Sequence, residues 1–382
     1  MSAPANKPMP RYAVAVRVIA LASLLVLAAC ATSPPKPPLR EPSDVRAQLE
    51  TLLPADLRDR SGWATDIQSA FQLLDIPPST ENLCAALAVT QQESTFTADP
   101  VVPDLARIAR AEIDRRAASL KIPALVVAAA LRLDSGDGRS YAERIAAVRT
   151  ERELSELFEQ FIGRVPLGQR LFGGANPVHT GGPMQVSIAF AQRHADEHGY
   201  PYASATSIRR EVFTRRGGMY FGIAHLLGYP NSYTRHLYRF ADFNAGWYAS
   251  RNAAFQAAVT AVSGVPLALD GDLILHERGF GGARVGATEA AVRSLAPQLG
   301  MSERAIRRAL ALGDRHAFET TDLYERVFAL ADARSATPLP RAVLPRITLE
   351  SPKITRRLTT AWFANRVQER YQRCVNRAFA AM

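Results

Sequence analysis

Apolar residues recur along most of this 382-residue chain at the spacing of a helix face, and no long run alternates apolar with polar residues as a half-buried strand does. Val45-Leu49-Leu52, Leu105-Ile108-Ile113, Leu154-Leu157-Phe158-Phe161 and Phe213-Tyr220-Ile223-Leu227 each mark one side of a helix. Pro77-Pro78, Gly136-Asp137-Gly138, Gly173-Gly174, Gly181-Gly182-Pro183 and the glycines at 279–282 punctuate the pattern. The chain is therefore predicted to be mainly α, with one small hairpin expected around Asp270-Gly271 within Leu267 to Leu275. With 47% hydrophobic and 21% charged residues it can bury a real core. Beyond about residue 265 the pattern becomes a set of amphipathic helices ending in the charged segment Arg356 to Arg377, a second domain or a collar on the first.

The first thirty residues follow another logic. Lys7, Arg11 and Arg17 precede an uncharged run of twelve residues, Val18 to Ala29. A membrane-spanning helix needs about twenty apolar residues, whereas the core of a secretory signal needs about seven to fifteen. The run closes on Leu27-Ala28-Ala29-Cys30, which resembles the lipobox of bacterial lipoproteins. The resemblance implies a signal peptide over residues 1–29, diacylglycerol on the Cys30 thiol and, because Ala31 rather than Asp follows, the periplasmic leaflet of the outer membrane. Residues 30–42, which include Ser33-Pro34-Pro35-Lys36-Pro37-Pro38, read as an extended tether. Removing the three leader cations takes the formal charge from +10 to +7. In that compartment a basic protein meets anionic lipid headgroups and cell-wall polymer, and no arginine–aromatic pattern points to nucleic acid. Cys84 and Cys374 remain, either one disulfide or two buried thiols.

Thr80 to Phe96 (TENLCAALAVTQQESTF) is an apolar helix ending in a carboxylate. At 100° per residue Glu93 lies on the side of Ala86 and Val89. A helix C-terminus and an apolar surround both favour the neutral acid, which can then donate a proton. Glu93-Ser94-Thr95-Phe96, Gly181-Gly182-Pro183-Met184-Gln185-Val186 and Phe240-Ala241-Asp242-Phe243-Asn244-Ala245-Gly246 occur in the order of the three motifs of lytic transglycosylases of the lysozyme superfamily, and together they resemble them. The resemblance covers Thr80 to Phe255. It implies a lysozyme-like helical domain over 43–265, with Glu93 as the acid and Ser94, Met184, Gln185 and Asn244 against a peptidoglycan strand, without cofactor. The whole chain is also similar to an uncharacterised family of bacterial lipoproteins.

The sequence departs from the transglycosylase pattern at Pro183, where Leu is usual, and at Asp242-Phe243, where Ala-Tyr is usual. Ninety-one positions separate Glu93 from Met184, so a helical insertion over about 97–175 is expected between acid and turn, with residues 266–382 as a helical extension. A transglycosylase needs one carboxylate; a hydrolytic muramidase would need another, for which Asp99 and Asp242 are available. A non-catalytic wall-binding lipoprotein is the reading from another class. His194-Ala195-Asp196-Glu197-His198 matches an H-x-x-E-H zinc pattern, but it ends at Gly199-Tyr200-Pro201 as a solvated helix terminus does, no third ligand is marked by spacing, and no metal site is assigned.

If Cys30 carries the lipid, Cys30→Ser moves the protein from the outer-membrane fraction to the soluble periplasm or leaves it uncleaved at the inner membrane. Unchanged fractionation of that variant would require another anchor.

Overall fold

The structure, a computed structural model, describes residues 40–164, 173–204, 206–275, 284–349 and 357–380. The signal peptide, Cys30, the tether up to residue 39 and the glycines at 279–282 lie outside the described residues. Described residues from Pro42 onward form one compact unit.

The fold is mainly helical, as the periodicity predicts. Helices α1 (Pro42–Leu52), α2 (Arg60–Leu73) and α3 (Thr80–Glu93) come first. Four more follow before the glycine-rich turn: α4 (Leu105–Ser119), α5 (Ala124–Leu131), α6 (Tyr141–Ala147) and α7 (Glu151–Gly163). They occupy the stretch, about 97–175, where the resemblance implies an insertion. A two-residue antiparallel pair, β1 (Thr180–Gly181) and β2 (Val186–Ser187), holds the turn. Then come α8 (Ile188–His198), α9 (Ile208–Val212), α10 (Arg215–Leu227), α11 (His236–Ala245) and α12 (Ala249–Ser263). The last third holds α13 (Ala287–Ser294), α14 (Ala296–Leu299), α15 (Glu303–Leu310), α16 (Asp322–Ala333), the pair β3 (Thr348–Leu349) and β4 (Leu358–Thr359), and α17 (Thr360–Ala380).

Local chemistry sets these boundaries. Ser79 follows Pro77-Pro78 and its side chain accepts from the Asn82 N–H, capping α3. Ser140 with Glu143 and Thr150 with Glu153 form reciprocal capping boxes that start α6 and α7. The hairpin expected around Asp270-Gly271 is absent. Gln256 on α12 intercepts its backbone instead: its amide nitrogen donates to Asp270 Oδ1 and to the Asp272 carbonyl, and its oxygen accepts from the Gly271 N–H. With those groups paired to a helix side chain, the segment has no need of a cross-strand ladder.

Two apolar cores result. The first collects α1, α2, α3, α10 and α11, and it also takes Phe363, Ala364, Val367, Cys374 and Ala378 of α17. The second is built by Phe255, Ala258 and Val259 of α12 with Val292, Ile306, Phe318, Leu323 and Val327. The buried guanidinium of Arg251 closes the second core, donating to the carbonyls of Gly313 and Arg315 and lying over the Tyr248 and Phe318 rings. The chain after 265 therefore has two destinations. Its middle helices make a core of their own, while its last helix returns to the first core and is joined there by a Cys84–Cys374 disulfide across 290 positions, with the Cα atoms 5.6 Å apart.

Because that bridge closes so long a loop of the unfolded chain, replacing both cysteines by alanine is expected to cost about 2–4 kcal/mol in denaturant unfolding. Reductant should reproduce the loss in the wild type and leave the variant unchanged; equal midpoints for both proteins with and without reductant would rule out the bridge.

Candidate active site

Helix α3 runs through the first core. Cys84, Ala85, Ala86, Leu87, Ala88 and Val89 are all buried, and the alanines let neighbouring helices approach closely. Glu93, its last residue, is half-buried on the edge expected from the positions of Ala86 and Val89. Immediately beyond, Thr95 and Phe96 have φ of 50° and 58°, so the chain reverses sharply after the acid. Phe96 anchors that reversal by packing edge-on against Trp63, centroids 5.6 Å apart, and the Arg215 guanidinium covers the Trp63 ring.

Ser94 fixes this helix end to the glycine-rich turn. Its hydroxyl is buried, donates to the Pro183 carbonyl at 2.7 Å and accepts from the Thr97 N–H at 3.3 Å. The turn itself leaves no room for larger residues. A Cβ on Gly182, whose φ is +72°, would sit 2.0 Å from the Val212 carbonyl oxygen, and one on Gly222 would sit 2.4 Å from the Met184 sulfur. Met184, expected against a sugar, is fully buried against α10, because the hairpin turns its side chain inward; it supports the turn from below. Gln185 stands half-buried at φ 49°, its amide accepting from the Thr180 hydroxyl and donating to the Gly182 carbonyl, both at 3.3 Å.

The asparagine of the third motif is bonded to the last helix. Asn244 is exposed and accepts a 2.9 Å hydrogen bond from Thr360, the first residue of α17. Tyr371, further along α17, stacks on His236, which is bonded to Asn82 at the start of α3, and Cys374 is bridged to Cys84. Thus α3 and α17 run in the same sense and α11 runs against them. Asn244 is thus engaged by α17, while its neighbours lie against the elements that carry the turn: Phe243 packs on His225 of α10, centroids 5.0 Å apart, and Trp247 packs edge-on against Phe190 of α8, centroids 5.5 Å apart.

The two spare carboxylates are also committed. Asp242 is fully buried and accepts from the hydroxyls of Tyr229 (3.0 Å) and Tyr233 (2.6 Å) and from the N–H groups of Tyr248 (2.9 Å) and Ser250 (2.7 Å). Burial pushes its carboxyl above the ordinary range despite those bonds. Asp99 is tied to Arg152 at 2.9 Å, and burial raises it too. His194 and His198 stack ring on ring, centroids 4.6 Å apart, with the His198 Nδ1 against the His194 carbonyl. Among the described residues no three metal-ligating side chains converge.

Sequence spacing gave no hint of Trp63 or Arg215, which flank the acid end of α3. Arg215 reaches it from α10 while held by Asp59 at 2.6 Å and Asp66 at 2.5 Å. The only available signal was an isolated tryptophan on an amphipathic helix.

The described residues thus define a mainly helical protein in which an acid-bearing helix end is docked onto a glycine-rich turn. The chain belongs to the family described as a protein of unknown function, DUF1615, whose model matches residues 56–377. It is 53% identical over 359 residues to the "Uncharacterized protein YaiW" of Escherichia coli (strain K12), a match covering 94% of this chain and 97% of that protein. No solved structure matches it.

Ser94→Ala strands the buried Pro183 carbonyl and should lower unfolding free energy by about 1–3 kcal/mol. Ser94→Thr, which keeps the hydroxyl, should lose less. Equal stability of Ser94→Ala and wild type would show that the helix end and the turn are held together by other contacts.

Proposed function

We propose that this protein is a peptidoglycan lytic transglycosylase of the bacterial envelope, held at the outer membrane by lipid on Cys30. The observation that carries this reading is the Ser94–Pro183 hydrogen bond, which sets the Glu93 end of α3 beside the turn bearing Gln185. In the reaction the Glu93 carboxyl gives its proton to the oxygen linking N-acetylmuramic acid to N-acetylglucosamine as the muramyl C1–O bond breaks. The resulting carboxylate takes the proton of the muramyl C6 hydroxyl while O6 bonds to C1, closing the 1,6-anhydro ring and regenerating the acid. One carboxylate performs both steps. A hydrolase would need a second to position water, and Asp242 and Asp99 are each engaged in the scaffold.

A second reading, a glycan-binding protein without catalysis, is favoured by two observations. Asn244 is bonded to Thr360 of α17, and the Gln185 amide is bonded within its own turn.

Digestion of purified sacculi with product analysis by mass decides between them. The transglycosylase reading expects anhydro-muropeptides from the wild type and a loss of about 10²- to 10⁴-fold in Glu93→Gln at unchanged melting temperature. Gln185→Ala should slow digestion, and Asn244→Ala should not. Reducing ends would indicate a hydrolase. Sacculus binding without any product would establish the binder, and a Glu93→Gln variant that digests at the wild-type rate would remove Glu93 from the chemistry.

A further inference from the structure

The four inserted helices enclose a cavity of about 360 Å³ whose walls are almost entirely carbon. Ile113 and Ala117 of α4, Val127 and Ala130 of α5, and Leu157 and Phe161 of α7 are among the residues that line it. Pockets for small ligands begin near this size, which suits one hydrocarbon chain rather than a whole two-chain lipid. Glu112 and Arg116, the two charged residues at its edge, neutralise each other at 2.6 Å, so the wall carries no net charge.

Tyr141 is one of the lining residues. It is 2% exposed, and its hydroxyl, which presents no surface to the empty cavity, has no hydrogen-bond partner, an arrangement that costs free energy unless an acceptor is supplied. The mouth is as unusual as the interior. Leu120 (70% exposed), Ile122, Leu125 (81% exposed) and Val126 crowd the α4–α5 corner. Lys121 stands exposed between Leu120 and Ile122, with no carboxylate partner among the described residues. Exposed apolar side chains around an unpaired cation match a lipid interface, where chains take up the carbon and anionic headgroups take up the charge.

We propose that helices α4–α7 form a binding site for a single fatty acyl chain, entered at the α4–α5 corner, with the Tyr141 side chain shifting so that its hydroxyl donates to a carbonyl or carboxylate oxygen of the chain. The site is separate from Glu93 and does not depend on any glycan chemistry.

The test uses residues 30–382 carrying Cys30→Ser, so that no acyl group is covalently present. Titration with cis-parinaric acid reads binding of a free chain, and flotation with phosphatidylglycerol–phosphatidylcholine vesicles reads binding of a bilayer chain. Saturable 1:1 binding in either arm supports the site and identifies the source of its ligand. Ala130→Phe grows a side chain into the empty space and should abolish that binding while keeping the helical circular dichroism. Tyr141→Phe should melt at the same or a higher temperature, because it removes an unpaired buried hydroxyl, and yet bind the chain about three- to tenfold more weakly. A purely structural tyrosine would not separate these two readouts. No saturable binding in either arm, wild-type binding by Ala130→Phe, or a stable dimer that buries Leu125 would each overturn the proposal.

Discussion

The burial of α3 against α17 is the contact on which the rest of the first core depends. It joins the third helix of the chain to its last, and it works because α3 offers Ala85, Ala86 and Ala88 where larger side chains would hold neighbours apart. Cys84–Cys374 covers the same interface covalently. With α3 held along its length, its C-terminal end is a fixed point, and Glu93, Ser94 and the reversal at Thr95-Phe96 inherit that rigidity. The glycine-rich turn is fixed from the other side by α10, through Gly218 against Pro183 and Gly222 against Met184. The Ser94–Pro183 hydrogen bond then joins two elements that are each already anchored, which is the condition the proposed role of Glu93 needs for its carboxyl to be held in register.

The insertion and the second core have a different relation to this frame. Helices α4 to α7 begin at Leu105, shortly past the reversal, and end before β1, so the distance in sequence between acid and turn is not a distance in space. The second core is bound to the first through α12 and the buried Arg251, whose hydrogen bonds to the Gly313 and Arg315 carbonyls leave it no freedom to serve a ligand. Arg251 and Asp242, both almost fully buried, are therefore structural.

Much of this was legible in the sequence. The spacing of Val45-Leu49-Leu52 and its counterparts gives helices wherever they are described, and Pro77-Pro78 with Ser79 marks the start of α3. The turn at 181–186 was visible because its glycines answer steric demands that any other residue would violate. What could not be read was direction and depth. Nothing in Phe240 to Gly246 encodes that its asparagine is bonded to Thr360 at the start of the last helix. Nothing in Met184-Gln185 encodes that one side chain is buried while the other folds back on its own turn. Asp270-Gly271 carries an ordinary turn signal, but the partner that decided its structure, Gln256, lies on the preceding helix, where side-chain reach rather than pattern governs.

The central claim is that the end of α3 and the turn at 182–185 form one glycan site and that Asn244, bonded to Thr360, takes no part in it. Amide hydrogen exchange of the full mature chain with and without a soluble muropeptide chain tests it directly. The account predicts slowed exchange in peptides covering 91–97 and 180–187 and none at 240–248. Protection confined to 240–248, or unchanged exchange at both 91–97 and 180–187 under saturating glycan, would contradict it.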